Sequence, residues 1–230
     1  ATEEPTTVED GAADATATTT PATTEADHDH AADDHAADDH AADGHDDHDH
    51  GGVNPHIWTD PNNARTMVKT IAAGLSKADD AAKADFATNA EAYDAKLVTL
   101  IDWMTTNVDA VPAADRLLVS NHDAFGYFVN AFGITYVGSV MPSFDDNAEP
   151  SAAEIDALVA AIKKTGVKAV FSEASINPKT ADTIAKEAGV TVFSGDDALY
   201  GDSLGPEGSE GATYIASQIH NMTVILQSWG

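Results

Sequence analysis

Asn54-Pro55-His56-Ile57-Trp58-Thr59-Asp60-Pro61 stands where a low-complexity, histidine-studded stretch stops and a patterned, foldable chain begins. Pro55 restricts the residue before it to extended geometry, so His56 is presented from a stiff loop. Asp60 and Pro61 read as the N-cap and first residue of a helix, which fixes where that loop ends. Just downstream, Ala64, Met67, Val68, Ile71, Ala72 and Leu75 recur at helical spacing and predict a helix over about 61–77. A longer stripe of Phe86, Ala90, Tyr93, Leu97, Leu100, Ile101 and Met104 predicts a second over about 80–107. At roughly 1.5 Å per residue that helix runs about 40 Å, enough to bridge two lobes. Both stripes are packing faces, and Val111-Pro112 closes the second helix.

From there the chain alternates strand and helix. The apolar run 116–120 is strand-like, and Asn121-His122-Asp123 follows it. A short helix over 125–132 ends at Gly133, and 134–137 is a second strand. Ser151 and Glu154 form a capping box that opens a helix closing at Gly166, with Ile155, Leu158, Val159 and Ile162 inward. Residues 167–172 are a third strand, followed by Glu173. Asn177-Pro178 starts a helix that stops at Gly189, and 190–194 is a fourth strand. Residues 195–208 read as a loop and about 209–227 as a last helix. Strands alternating with helices predict an α/β fold with a parallel sheet covered on both faces.

Upstream of His56 the sequence changes character. Residues 1 to about 26 are Thr, Ala, Glu, Pro and Asp, a composition that buries too little apolar surface to offset ordering entropy. A five-residue repeat then places His30, His35 and His40 before Ala-Ala-Asp, and His28, His45, His48 and His50 lie among further acidic residues. Imidazole suits borderline metals and carboxylate supplies charge, so the tract reads as a loose, low-affinity metal-binding segment, not an incidental acidic spacer. The expected organisation is a disordered His/Asp-rich tract over 1–52, a segment ending in the long helix over 53–109, and an α/β lobe over 110–230.

Composition narrows the chemistry. The 230 residues carry 39 Asp and Glu against 11 Lys and Arg, a formal charge of −28, and residues 1–52 contain no Lys or Arg. Such a field repels phosphate backbones and anionic lipid and attracts cations. The absence of cysteine excludes disulfides and thiolate ligation, so any metal is held by nitrogen and oxygen. No apolar run spans a bilayer. The acidic, Thr-rich start is not a signal peptide, which points to a mature form or a chain whose beginning has been cut away.

In open α/β sheets, ligands collect beyond the carboxyl ends of the strands. His122 follows the first strand there, Glu173 the third, and the loop after the fourth holds Asp196, Asp197 and Asp202. Singly, His122 also reads as a helix-start residue bonded to backbone and Asp202 as a loop cap. Jointly, with His56 and in a chain without thiols, they read as a metal site.

The pivot stretch resembles the D-P-H-x-W-x-D-P motif of the zinc/manganese solute-binding proteins of ABC importers. Ser120-Asn121-His122-Asp123-Ala124-Phe125-Gly126-Tyr127-Phe128 is similar to that family's H-D-A-F-G-Y-F segment. Asn147-Ala148-Glu149-Pro150-Ser151 and Asp202-Ser203-Leu204-Gly205 match as well and in the same order, so the resemblance covers 53–230. The His-rich acidic tract resembles the charged loop of the zinc-selective members.

The resemblance implies two α/β lobes joined by a long helix, with Zn²⁺ between them as the transported ligand. Its ligands would be His56, His122 and Asp202, with Glu173 behind them orienting a ligand or balancing charge. Manganese-selective relatives carry a carboxylate where His122 stands. The resemblance further implies a non-enzymatic, monomeric, extracytoplasmic protein, periplasmic or a cell-surface lipoprotein, that hands zinc to an ABC permease in the membrane. Two departures stand out. Asn54 replaces the motif's Asp, a modest loss of local charge. The family's first ligand, in an H-x-Y-x-P-type segment, has no counterpart, so most of the first lobe is expected to be missing and three ligands remain of about four. The same three ligands also suit a zinc-dependent hydrolase with Glu173 as base, and a third possibility is a metal buffer working through its tract alone.

Overall fold

The structure, a computed structural model, describes residues 53–143 and 149–230. The readings of residues 1–52, including the seven tract histidines, and of Asn147 and Ala148 lie outside the described residues.

Helix α1 spans Pro61–Ala78, with the Asp60 side chain accepting a hydrogen bond from Asn62 N–H at its start. Helix α2 spans Lys83–Asp109. It starts three residues later than its apolar stripe suggests, because Asp79 accepts from the backbone N–H groups of Ala81 and Ala82 and holds a turn there. Its 27 residues make it about 40 Å long at helical rise. The first half packs on α1, where Arg65 Nε and Nη2 donate to the two carboxylate oxygens of Asp94 at 2.7 and 3.0 Å. The second half buries Leu97, Leu100, Met104 and Val108 in the main core.

The α/β unit follows as β1 (Leu117–His122), α3 (Gly126–Phe132), β2 (Thr135–Met141), α4 (Ala152–Thr165), β3 (Ala169–Phe171), α5 (Lys179–Ala188), β4 (Thr191–Phe193) and α6 (Tyr214–Trp229). β1 pairs with β2 and β3 with β4, both in parallel, and β1 lies beside β3. The two hydrogen-bonded pairs thus lie side by side, in the lateral order β2-β1-β3-β4. Successive residues of one strand face opposite sides. Leu118 joins α2, α3 and α6 in one core, while Val119 joins α4 and α5 in the other. Phe171 and Val170 divide in the same way. Both faces of the sheet are thus covered, as the alternation of elements requires.

The helix ends follow their sequence signals. Ser151 and Glu154 form a reciprocal capping box on α4, and α3, α4 and α5 each stop at a glycine with φ between 62° and 76°. Other boundaries differ from the sequence reading: β3 and β4 are shorter, at three residues each, and three more shifts have a clear cause. β2 runs on to Met141 because Gly138 and Ser139, weak strand formers, pair with Val119 and Ser120. β1 runs on to His122, which is its last residue and not a helix start. α6 begins at Tyr214, not 209, because Thr213 supplies the N-cap by accepting from Ala216 N–H.

Candidate metal centre

In the order β2-β1-β3-β4 the chain reverses its direction of winding between β1 and β3, the kind of place where open α/β sheets bind ligands. His122 ends β1 on that edge, and Glu173 lies two residues beyond β3. Their side chains meet: Glu173 Oε1 is 2.6 Å from His122 Nδ1 and accepts the His122 backbone N–H at 3.1 Å. Both residues are buried, at 0% and 1% exposed. Burial raises the Glu173 carboxyl above the usual carboxylate range, opposed by the bonds from His122. Its second oxygen, Oε2, is buried without a partner among the described residues. It lies against Gly201, where an added Cβ would collide with it.

The pivot loop delivers His56 to the same place. Its backbone turns through a short 3₁₀ segment, Ile57–Thr59, between Pro55 and the N-cap of α1. Trp58 Nε1 donates to Gly201 O at 2.8 Å and Tyr214 donates to Trp58 O at 2.7 Å. The Thr59 hydroxyl reaches His56 O at 2.9 Å and Ala124 O at 3.3 Å. These bonds bind the loop to the lobe and leave His56 only 3% exposed. Behind the ring, Asn54 Oδ1 is 2.7 Å from His56 Nδ1.

Asp202 closes the arrangement from the loop after β4. One carboxylate oxygen is 3.1 Å from His56 Nε2, and the other is 3.1 Å from His122 Nε2. The two Nε2 atoms are 3.4 Å apart. His56, His122 and Asp202 are the one group among the described residues whose donor atoms all lie close enough to share an ion. The back-side partners define the ring chemistry. Glu173 and Asn54 Oδ1 offer lone pairs, so each Nδ1 carries its proton toward them and each Nε2 presents a lone pair forward. Two imidazole lone pairs and a carboxylate then face one another. Such a set is stable only around protons or a cation. A divalent ion there would be balanced by the carboxyl groups of Asp202 and Glu173.

The remaining loop acids do not converge. Asp196 and Asp197 sit in an exposed 3₁₀ turn outside the cluster. Residue-type reasoning also missed the groups that anchor the loop, Trp58, Tyr214 and Gly201. It credited Asn54 with nothing beyond a lost charge, although a polar residue two positions before a candidate ligand is a sign of local bonding.

The family described as zinc-uptake complex component A, periplasmic (ZnuA) matches residues 4–228. The manganese-binding lipoprotein MntA of Halalkalibacterium halodurans is 31% identical over 74% of this chain and 55% of its own length. The zinc-binding protein TroA of Treponema pallidum is 30% identical over 75% of this chain and 56% of its own. The structure of the periplasmic zinc-binding protein TroA superposes with a TM-score of 0.72 at 27% identity, covering 77% of this chain and 64% of that one. The chain spans about half the length of these curated relatives. With a match of that extent and an α/β architecture shared with TroA, the chain belongs to the ZnuA family.

Proposed function

We propose that this chain is the zinc-capturing part of an extracytoplasmic solute-binding protein, which holds Zn²⁺ through His56, His122 and Asp202 and passes it to an ABC permease. The observation that carries this reading is the mutual approach of His56 Nε2, His122 Nε2 and the Asp202 carboxylate at 3.1–3.4 Å. Glu173 stands behind His122, fixes its ring and supplies balancing charge. Two imidazoles with one carboxylate suit a borderline ion, which favours zinc; the manganese-binding relatives keep Mn²⁺ as the second reading. Zinc prefers about four ligands, so a water or a donor from outside the described residues completes the set. In this reading the chain is monomeric, lies in the periplasm or on the cell surface, and divides into a zinc-gathering tract at 1–52, a linking segment at 53–109 and the α/β lobe at 110–230.

A hydrolase reading fits less well. Glu173 faces the far nitrogen of His122, so it is turned away from any water on an ion at the Nε2 atoms. The full chain should bind zinc in preference to manganese in direct competition, with no turnover of ester or peptide substrates. Neutral imidazole is the ligand form, so affinity should fall below about pH 6. Equal affinity at about pH 5 and pH 7.5, where imidazole changes charge, would overturn the site.

A further inference from the structure

We infer that Asn54 is a positioning residue that acts with both ends of its amide, setting the ring of His56 and tying the His56 loop to the turn that follows His122. This rests on the zinc-capture reading and deepens it.

The Oδ1 end accepts from the His56 backbone N–H at 3.0 Å and from Nδ1–H of the same ring at 2.7 Å. A single oxygen therefore fixes ring and backbone together and keeps the lone pair on Nε2, the atom that faces Asp202 and His122. The Nδ2 end donates across 69 residues of sequence to Asp123 O at 3.2 Å. Asp123 directly follows His122, so this bond joins the two ligand-bearing segments. The Asn54 carbonyl accepts from the Tyr127 hydroxyl at 3.1 Å, a second tie, to the first turn of α3 just beyond. Only an amide offers an acceptor and a donor at these two places. A carboxylate keeps the first bond but turns an oxygen toward the Asp123 carbonyl.

A neighbouring glycine makes the same point independently. A Cβ at Gly126 would lie 3.1 Å from Asn54 Nδ2, tighter than ordinary contact. The amide is held at both ends and has little room to give way. Gly126 is the first residue of α3 and is not among the glycines with positive φ, so alanine suits its backbone. Gly126→Ala should favour the helix, since alanine is the better helix former, while displacing the amide. A merely structural role for Asn54 does not predict that split.

The test uses the full chain and Zn²⁺, with ¹⁵N chemical shifts of the histidine rings and competition against a chelator. His122→Ala serves as the reference for loss of the site. Asn54→Ala should weaken zinc binding by about 10- to 100-fold, as loss of groups that orient metal ligands does. It should also leave the His56 ring in mixed tautomers. Asn54→Asp should restore the single tautomer and only part of the affinity. Gly126→Ala should weaken zinc binding without lowering the melting temperature. Wild-type affinity in Asn54→Ala overturns the proposal, and full recovery in Asn54→Asp overturns the tether. If His122→Ala binds zinc like wild type, the zinc-capture reading fails instead, and the two failures are distinguishable.

Discussion

The centre is assembled from two unlike regions: a buried wall of imidazoles and an open carboxylate loop. His56 and His122 are nearly sealed, and each has a hydrogen-bonded group behind its ring. Asp202 lies on a stretch with no regular structure, its side chain 26% exposed. Solvent therefore touches the centre at Asp202, while the two imidazoles stay covered. The contrast teaches how the work is divided. The wall holds two imidazole nitrogens at fixed spacing, so an ion bound there as proposed would require little rearrangement. In the zinc-capture reading, the loop would contribute the negative charge that draws an ion in.

The comparison breaks most severely if a wall residue can be lost without consequence. His122→Ala removes a ligand outright, so its zinc affinity should fall by more than the roughly 100-fold that loss of a supporting group reaches. Chelator competition on the full chain reads this directly, and an unchanged value means that the wall does not bind zinc. Next comes the support itself. Glu173→Gln keeps an oxygen for the His122 proton but removes the balancing charge, and an affinity about 10-fold lower is expected in the same assay. Gly201→Ala probes where wall and loop touch, because its Cβ would press on Glu173 Oε2. Overpacking of that kind typically costs about 1–3 kcal/mol, visible as a lower urea midpoint without zinc. The smallest effect sharpens the contrast: replacing Asp196 and Asp197 together by Asn removes twice the charge of Asp202→Asn, yet from an exposed turn outside the centre. Zinc affinity should stay within about 2-fold, since exposed charges at such range are largely screened. A drop matching that of Asp202→Asn would mean that loop charge, and not ligation, governs binding.

How much of this was legible depends on the distance over which each signal acts. The start of α1 at Asp60-Pro61, the capping box at Ser151 and Glu154, and the glycine stops of α3, α4 and α5 are written within a few residues, and they fall where the sequence puts them. The burial of Leu118 and Val119 in opposite cores follows from the period of a strand. Boundaries slipped where a partner overrode local preference. Gly138 and Ser139 joined β2 by pairing with β1, whereas α6 starts late at a local cap, Thr213, that the reading passed over. In the centre, residue type and position at strand ends pointed to His56, His122, Asp202 and Glu173. The choice of Asp202 came from the motif resemblance, since Asp196, Asp197 and Asp202 differ little in residue type and local context.

By itself, the sequence determined the order of helices and strands, their caps, the two-faced sheet and a donor chemistry limited to nitrogen and oxygen. These depend on spacing and composition, which act along the chain. Only the tertiary structure decided that β1 and β3 lie side by side, that two imidazoles 66 residues apart come within 3.4 Å, and which nitrogen of each ring faces forward. The reason is that strand order and ring orientation are set by groups remote in sequence, Glu173 behind His122 and Gly201 holding Trp58, and no local pattern specifies such meetings.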